Sequence, residues 1–132
     1  MRAVLDASAL LAYLKGEPGG EKVKEVLVQG AAISAVNLAE VGAKLADWGQ
    51  DPTQLLGFLR GRGILGQAIE VFPFTEEDAL EAARLRPLTR PMGLSLGDRA
   101  CLALARRLGL PALTADATWE GLDVGVKVEV VR

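Results

Sequence analysis

The 132-residue sequence contains no histidine. That absence removes Ser-His-Asp triads, Cys-His pairs, histidine general bases and the HExxH zinc helix at once. Cysteine is almost as scarce. The lone Cys101 closes no internal disulfide and no CxxC zinc site, and reads as a small core residue. No apolar run is long enough to span a bilayer. Asp6 interrupts the apolar opening, where a signal peptide needs continuity. A cytoplasmic protein without membrane contact is therefore expected. A basic excess is missing too: 15 Lys and Arg stand against 17 Asp and Glu, a net charge of −2. Tight nonspecific nucleic-acid binding usually shows the opposite balance, though a local basic groove stays open. There is no GxxxxGK[ST] loop. Gly61, Gly63 and Gly66 spell GxGxxG only after a helix and before a strand, the reverse of a dinucleotide site. Any catalysis must run on carboxylates, hydroxyls, Lys, Arg or a bound metal.

What is present alternates. Half of the residues are hydrophobic, enough for one core in a chain of single-domain length. The pattern predicts a strand over 2–5, a helix over 7–14, a turn at GEPGG (16–20) and a helix over 21–28. AAIS (31–34) reads as a strand, and Ser34 or Asn37 opens a helix to about Trp48. Asp51 and Pro52 start a helix that ends near Gly61 and Gly63. AIEVFPF (68–74) is a strand stopped by Pro73, and Thr75 to Asp78 is a capping box before a helix. RPLTRPMG (86–93) reads as a proline loop. Ser95 opens a helix to Leu108, ended by Gly109. Strands at 110–116 and 126–131 flank a turn or short helix at 117–121. Alternation of this kind implies an α/β fold of three α/β/α layers around a mostly parallel sheet, as one domain over 1–132.

In such a sheet, ligands bind beyond the carboxyl ends of the strands. Asp6 follows the first strand and Asp116 follows PALT. Glu40 lies in the first turns of the helix after AAIS, and Asp98 in the first turn of the Ser95 helix. All four acids are expected on one rim. Each has a plain local reading as well. Asp6 and Asp98 suit helix caps, Glu40 can pair with Asn37, and Asp116 can hold a turn before Thr118. Taken together, crowded carboxylates raise one another's pKa and cost stability unless a cation sits among them. Hard dications prefer oxygen ligands, activate water and neutralise phosphoryl charge, none of which needs histidine.

These segments resemble the PIN-domain family, particularly the single-domain toxins of VapBC-type toxin–antitoxin pairs. VLDASALLAYL is similar to the family's first strand and first acid, Asp6. ISAVNLAEVGAKL resembles the segment of the second acid, Glu40. LSLGDRACLALARRLGLPALTADATW, the most specific part, resembles the third and fourth, Asp98 and Asp116, with a hydroxyl at Thr114. The resemblance covers nearly the whole chain. It implies a metal-dependent endoribonuclease that leaves 5′-phosphate and 3′-hydroxyl ends, a neutralising antitoxin partner and a homodimer. The four acids would hold one or two Mg²⁺ or Mn²⁺ ions, and Ser8 and Thr114 would either orient the acids or waters or only satisfy nearby backbone groups. Many relatives carry a further acid where this chain has Thr118 and Trp119.

The remaining expectations concern surfaces. Arg84, Arg86, Arg90 and Arg99 lie around the proline loop and are candidate RNA guides, each with a solvated-surface reading beside it. Arg106 and Arg107 suit a helix C-terminus. The apolar stretches VKEVLV and LLGFLRGRGIL are candidate contacts for an antitoxin or a second copy. Trp48 and Phe58 read first as core residues and second as anchors. Two other classes compete: a noncatalytic PIN-fold module for RNA binding or assembly, and a receiver-type phosphotransfer domain. The latter lacks its lysine at the rim, since Lys127 falls in the last strand.

Overall fold

Runs of three or four apolar residues, each followed by an amphipathic stretch, fold as strands and returning helices. The computed structural model describes residues 1–132. Its strands are β1 (Ala3–Leu5), β2 (Ala31–Ser34), β3 (Ile69–Phe72), β4 (Ala112–Thr114) and β5 (Val128–Val130). They form one sheet of order β3-β2-β1-β4-β5, and every neighbouring pair is parallel. The expected mostly parallel sheet is thus wholly parallel. Parallel pairing demands crossovers, which the helices supply. These are α1 (Ala7–Lys15), α2 (Gly20–Gln29), α3 (Ala35–Asp47), α4 (Pro52–Gly61), α5 (Glu76–Thr89) and α6 (Leu96–Leu108).

Strand side chains alternate between faces, and this separates two cores. Ala3, Leu5, Ile33 and Leu113 pack with Leu10, Val23, Val41 and Leu59 of α1 to α4. Val4, Ala32 and Ala112 turn to the other face and meet Leu85, Leu102, Leu104 and Trp119. The result is three layers, with β1 buried along its whole length between them. No helix is long and apolar enough to cross a membrane.

The caps follow the sequence closely. Asp51 accepts from Thr53 N with Pro52 behind it, and capping boxes form at Thr75/Asp78 and Ser95/Asp98. Gly109 ends α6 at a positive φ of 67°. Ser34, rather than Asn37, caps α3.

Two expectations are corrected. Residues 86–93 are not a loop: α5 runs through Pro87 to Thr89, and a 3₁₀ turn, Arg90–Met92, follows. Side chains bond two carbonyls of the turns that precede the proline, one from within α5 and one from α6. The buried Thr89 hydroxyl donates to Leu85 O, and Arg99 Nη1 donates to Ala82 O. Trp48 and Phe58 are not core residues but stand 44% and 55% exposed. Cations cover their rings instead: Lys15 Nζ lies 3.5 Å from the Trp48 centroid and the Arg62 guanidinium 4.9 Å from that of Phe58.

Candidate active site

Asp6 sits where β1 ends and α1 begins, so a rigid strand fixes its direction. It is only 3% exposed. Its Oδ1 accepts from Ala9 N and from Ser8 Oγ, both at 2.8 Å, and its Oδ2 accepts from Thr114 Oγ1 at 2.5 Å. Burial pushes the Asp6 carboxyl up to about 6; the three donors pull it down and the Asp98 charge pushes it further up.

Thr114 closes β4, the strand beside β1, and is wholly buried. Its hydroxyl also accepts from Asp116 N at 3.0 Å, and Ser8 Oγ accepts from Ala115 N at 2.9 Å. The two hydroxyls therefore tie the end of β1 to the chain entering Asp116. Asp116 caps the following 3₁₀ turn, Ala117–Trp119, through Oδ1, which takes both Thr118 N and Thr118 Oγ1.

Glu40 and Asp98 approach from helices on opposite faces of the sheet. Glu40 Oε1 accepts from Asn37 Nδ2 at 2.9 Å. Burial raises the Glu40 carboxyl above its ordinary value, the Asn37 bond lowers it, and the Asp98 charge raises it again. Asp98 Oδ2 accepts from Ser95 N at 2.9 Å. Beneath them lies Cys101, fully buried as expected. Burial first, and then the charges of Asp6, Asp98 and Glu40, hold its thiol well above the usual range.

Three of the four acids are thus near enough to feel one another, and Asp116 joins them through Thr114. Every local bond read from the sequence also forms. Asp6 and Asp98 cap their helices, Glu40 pairs with Asn37, and Asp116 holds Thr118. Those bonds engage one oxygen each on Glu40, Asp98 and Asp116 and leave the other. The donor set is all oxygen, crowded and negative, which suits a hard dication. As they stand, no three acids form a group that could hold a metal ion. None of the four cavities is lined by these acids, which lie on an open edge.

The arginines divide. Arg86 and Arg90 are exposed on the last turn of α5 and the turn after it. Arg99 is half-buried, with its guanidinium committed to Ala82 O. Arg84 pairs with Glu81 at 3.1 Å, and Glu81 also meets Arg106, eight residues beyond Asp98 on α6 and so roughly 12 Å from it. Asn37 and Gly97, both beside the acids, carried no site role in the sequence. The signal present was an Asn three residues before the Glu.

Residues 3–124 match the family model of the PIN domain. No curated protein matches by sequence. Among solved structures, the chain is similar to FitAcB from Neisseria gonorrhoeae, at 23% identity and a TM-score of 0.69, over 96% of this chain and 95% of that one. It is similar to the DNA-bound VapBC of Salmonella typhimurium, at 17% identity and a TM-score of 0.71, over 100% and 99% of the two chains. It is also similar to VapC20 of Mycobacterium tuberculosis, a toxin that cleaves the sarcin–ricin loop, at 17% identity and a TM-score of 0.70, over 95% and 98%.

Proposed function

The chain belongs to the PIN domain family, and from that premise we propose that it is a metal-dependent endoribonuclease, the toxin of a toxin–antitoxin pair. The domain takes in residues 1–132 and acts in the cytoplasm. One observation carries the reading: Asp6, Glu40 and Asp98 come from the end of β1, α3 and α6 to a single edge, where burial first, and the Asp98 charge in addition, raise the other two. That arrangement costs stability, which a cation among the acids would offset. The resident ion is Mg²⁺ or Mn²⁺, one or two of them. It is held by Asp6, Glu40, Asp98 and Asp116.

When bound, the cation supplies an activated water and neutralises charge on the phosphoryl oxygens. The chain supplies the rest. Ser8, Ala9 N and Thr114 fix the plane of the Asp6 carboxylate. Glu40 Oε2 and Asp98 Oδ1, which accept no hydrogen bond, would be available to the cation. Arg86 and Arg90 draw the RNA backbone to an otherwise negative rim, while Arg84 and Arg99, engaged elsewhere, contribute less. An open edge admits a polymer, as a closed cavity would not. The products carry 5′-phosphate and 3′-hydroxyl ends. An antitoxin and a second copy of the chain cover exposed apolar groups such as Val28 and Phe58, which stand 85% and 55% exposed. Support for an antitoxin comes from the toxin–antitoxin complexes among the similar structures.

The test is cleavage of mixed structured RNAs by native protein and Asp98→Asn, purified identically, with Mn²⁺, Mg²⁺ or EDTA. Discrete fragments are expected from the native protein alone and only with a divalent ion. The second reading, a noncatalytic PIN-fold module for RNA binding or assembly, is favoured by the local bond that every acid makes. It predicts RNA retention without fragments and no response to the ion.

A further inference from the structure

Asn37 is wholly buried, yet its Oδ1 has no hydrogen-bond partner. Its Nδ2 donates twice, to Glu40 Oε1 and to Gly97 O, each at 2.9 Å. Both partners are acceptors, so the amide can face them only with its NH₂ group. Reversed, it would set oxygen against two oxygens. Both hydrogens are therefore spent and Oδ1 is left over. A buried polar atom without a partner lowers stability, and an apolar side chain of similar size avoids that loss. Asn37 therefore makes two bonds across the site while one buried oxygen goes unpartnered.

Its bonds join elements sixty residues apart: Glu40 on α3, and the first turn of α6 at the residue before Asp98. Gly97 is fitted to the same contact. It lies inside α6 with an ordinary negative φ, so its backbone does not call for glycine. What calls for it is space: a Cβ there would overlap the Glu40 carboxylate. Glycine also weakens the helix relative to alanine. Two residues each carry a local disadvantage, and both disadvantages end at the same carboxylate.

We propose that Asn37 and Gly97 are positioning residues that clasp the Glu40 carboxylate against the first turn of α6, setting the acid of one layer beside Asp98 of the other. The inference rests on the metal-site reading above. Asn37 holds the carboxylate by one oxygen and Gly97 leaves it room. The carboxylate, its Oε2 included, then lies against Gly97, the residue before Asp98.

The test is Mn²⁺ affinity, measured on the full chain without RNA by electron paramagnetic resonance. The variants are Glu40→Gln, Asn37→Ala, Gly97→Ala and the two doubles that combine Glu40→Gln with each of the others. Asn37→Ala and Gly97→Ala are each expected to weaken Mn²⁺ by about 10–100-fold, as loss of an outer partner of a metal ligand does, and Glu40→Gln, the loss of a ligand itself, by at least as much. Neither double loses more than Glu40→Gln alone, because all act through one carboxylate. Gly97→Ala keeps its thermal midpoint in EDTA, so it carries the test even if Asn37→Ala fails to fold. If Glu40→Gln weakens Mn²⁺ while Asn37→Ala and Gly97→Ala bind as the native chain does, the clasp is wrong and the metal site stands. Additive losses in the doubles also overturn it, by showing an effect that bypasses Glu40. If Glu40→Gln itself leaves Mn²⁺ affinity unchanged, the metal reading falls and the clasp with it.

Discussion

Asp6 combines the strongest structural commitment of any acid here with a desolvation cost its three donors only partly offset. With no cation bound, its carboxyl is raised from 3.8 to about 6. Below pH 3.8 the native and unfolded chains both hold the proton. Between there and pH 6 the unfolded chain releases it first, so stability falls as pH rises; above pH 6 the deficit is constant. The deficit amounts to about 3 kcal/mol at most. Asp6→Asn keeps the helix cap, since Asn caps as well as Asp, and removes the charge. In EDTA at pH 7, urea denaturation is expected to show Asp6→Asn as the more stable protein, with the gain gone below pH 4. Equal stability at both pH values would mean that the charge costs nothing where it sits. This residue was legible because the end of a core strand is a poor place for an acid without a purpose, and Glu40, Asp98 and Asp116 were legible by the same rim argument. Asn37 and Gly97 were not: the partner that gives each its meaning is about sixty residues away.

Among the elements, α5 shows where local reading stops. Its start was plain from Thr75 and Asp78, but Pro87 marked its end wrongly. Thr89 bonds back to Leu85 O within the helix, and Arg99 reaches Ala82 O from α6, a tertiary contact that no local pattern shows. The same pair of helices also turns a routine capping residue into a part-buried ion pair. Asp78 is 2% exposed and accepts from Arg107 Nε at 2.8 Å and Nη2 at 3.0 Å. Arg107, read as ordinary C-terminal charge, is held further above its usual range by that hydrogen bond. With Arg99 bound to Ala82 O, these contacts run α5 antiparallel to α6. Asp78→Ala removes the ion pair and the Thr75 N bond to the carboxylate but leaves the Thr75 hydroxyl cap in place, and should cost about 2–4 kcal/mol in chemical denaturation. Arg107 lies nine residues beyond Asp98, about 14 Å along the helix, so cleavage by the folded fraction is expected to be retained. A variant that folds normally but has lost cleavage would place this pair in the active site.

At the scale of the molecule, the acids mark the one edge where the two outer layers are bonded directly to each other. α3 packs on one face of the sheet and α6 on the other, with Val41 and Leu45 in one core and Leu102 and Leu104 in the second. Beyond the ends of β1 and β2 the sheet no longer separates them, and Asn37 reaches Gly97. The alternation of strands and helices made the three layers legible. It could not say which helices would touch past the sheet, since that depends on strand order. On the proposed reading, a cation shared by Asp6, Glu40 and Asp98 would link the sheet to both layers and stabilise the whole fold, because the unfolded chain has no such site. At a hundred times its dissociation constant, the ion adds about 2.7 kcal/mol, or roughly 5–10 °C in the midpoint of a chain this size. Thermal unfolding of the native chain should shift upward by that amount on adding Mn²⁺, and fall back on adding EDTA. Asp98→Asn should show little shift, and a sodium salt of matched ionic strength none. An equal shift in native and Asp98→Asn proteins would assign the ion to another place on the surface. Ribonuclease activity would then have to be explained without this edge.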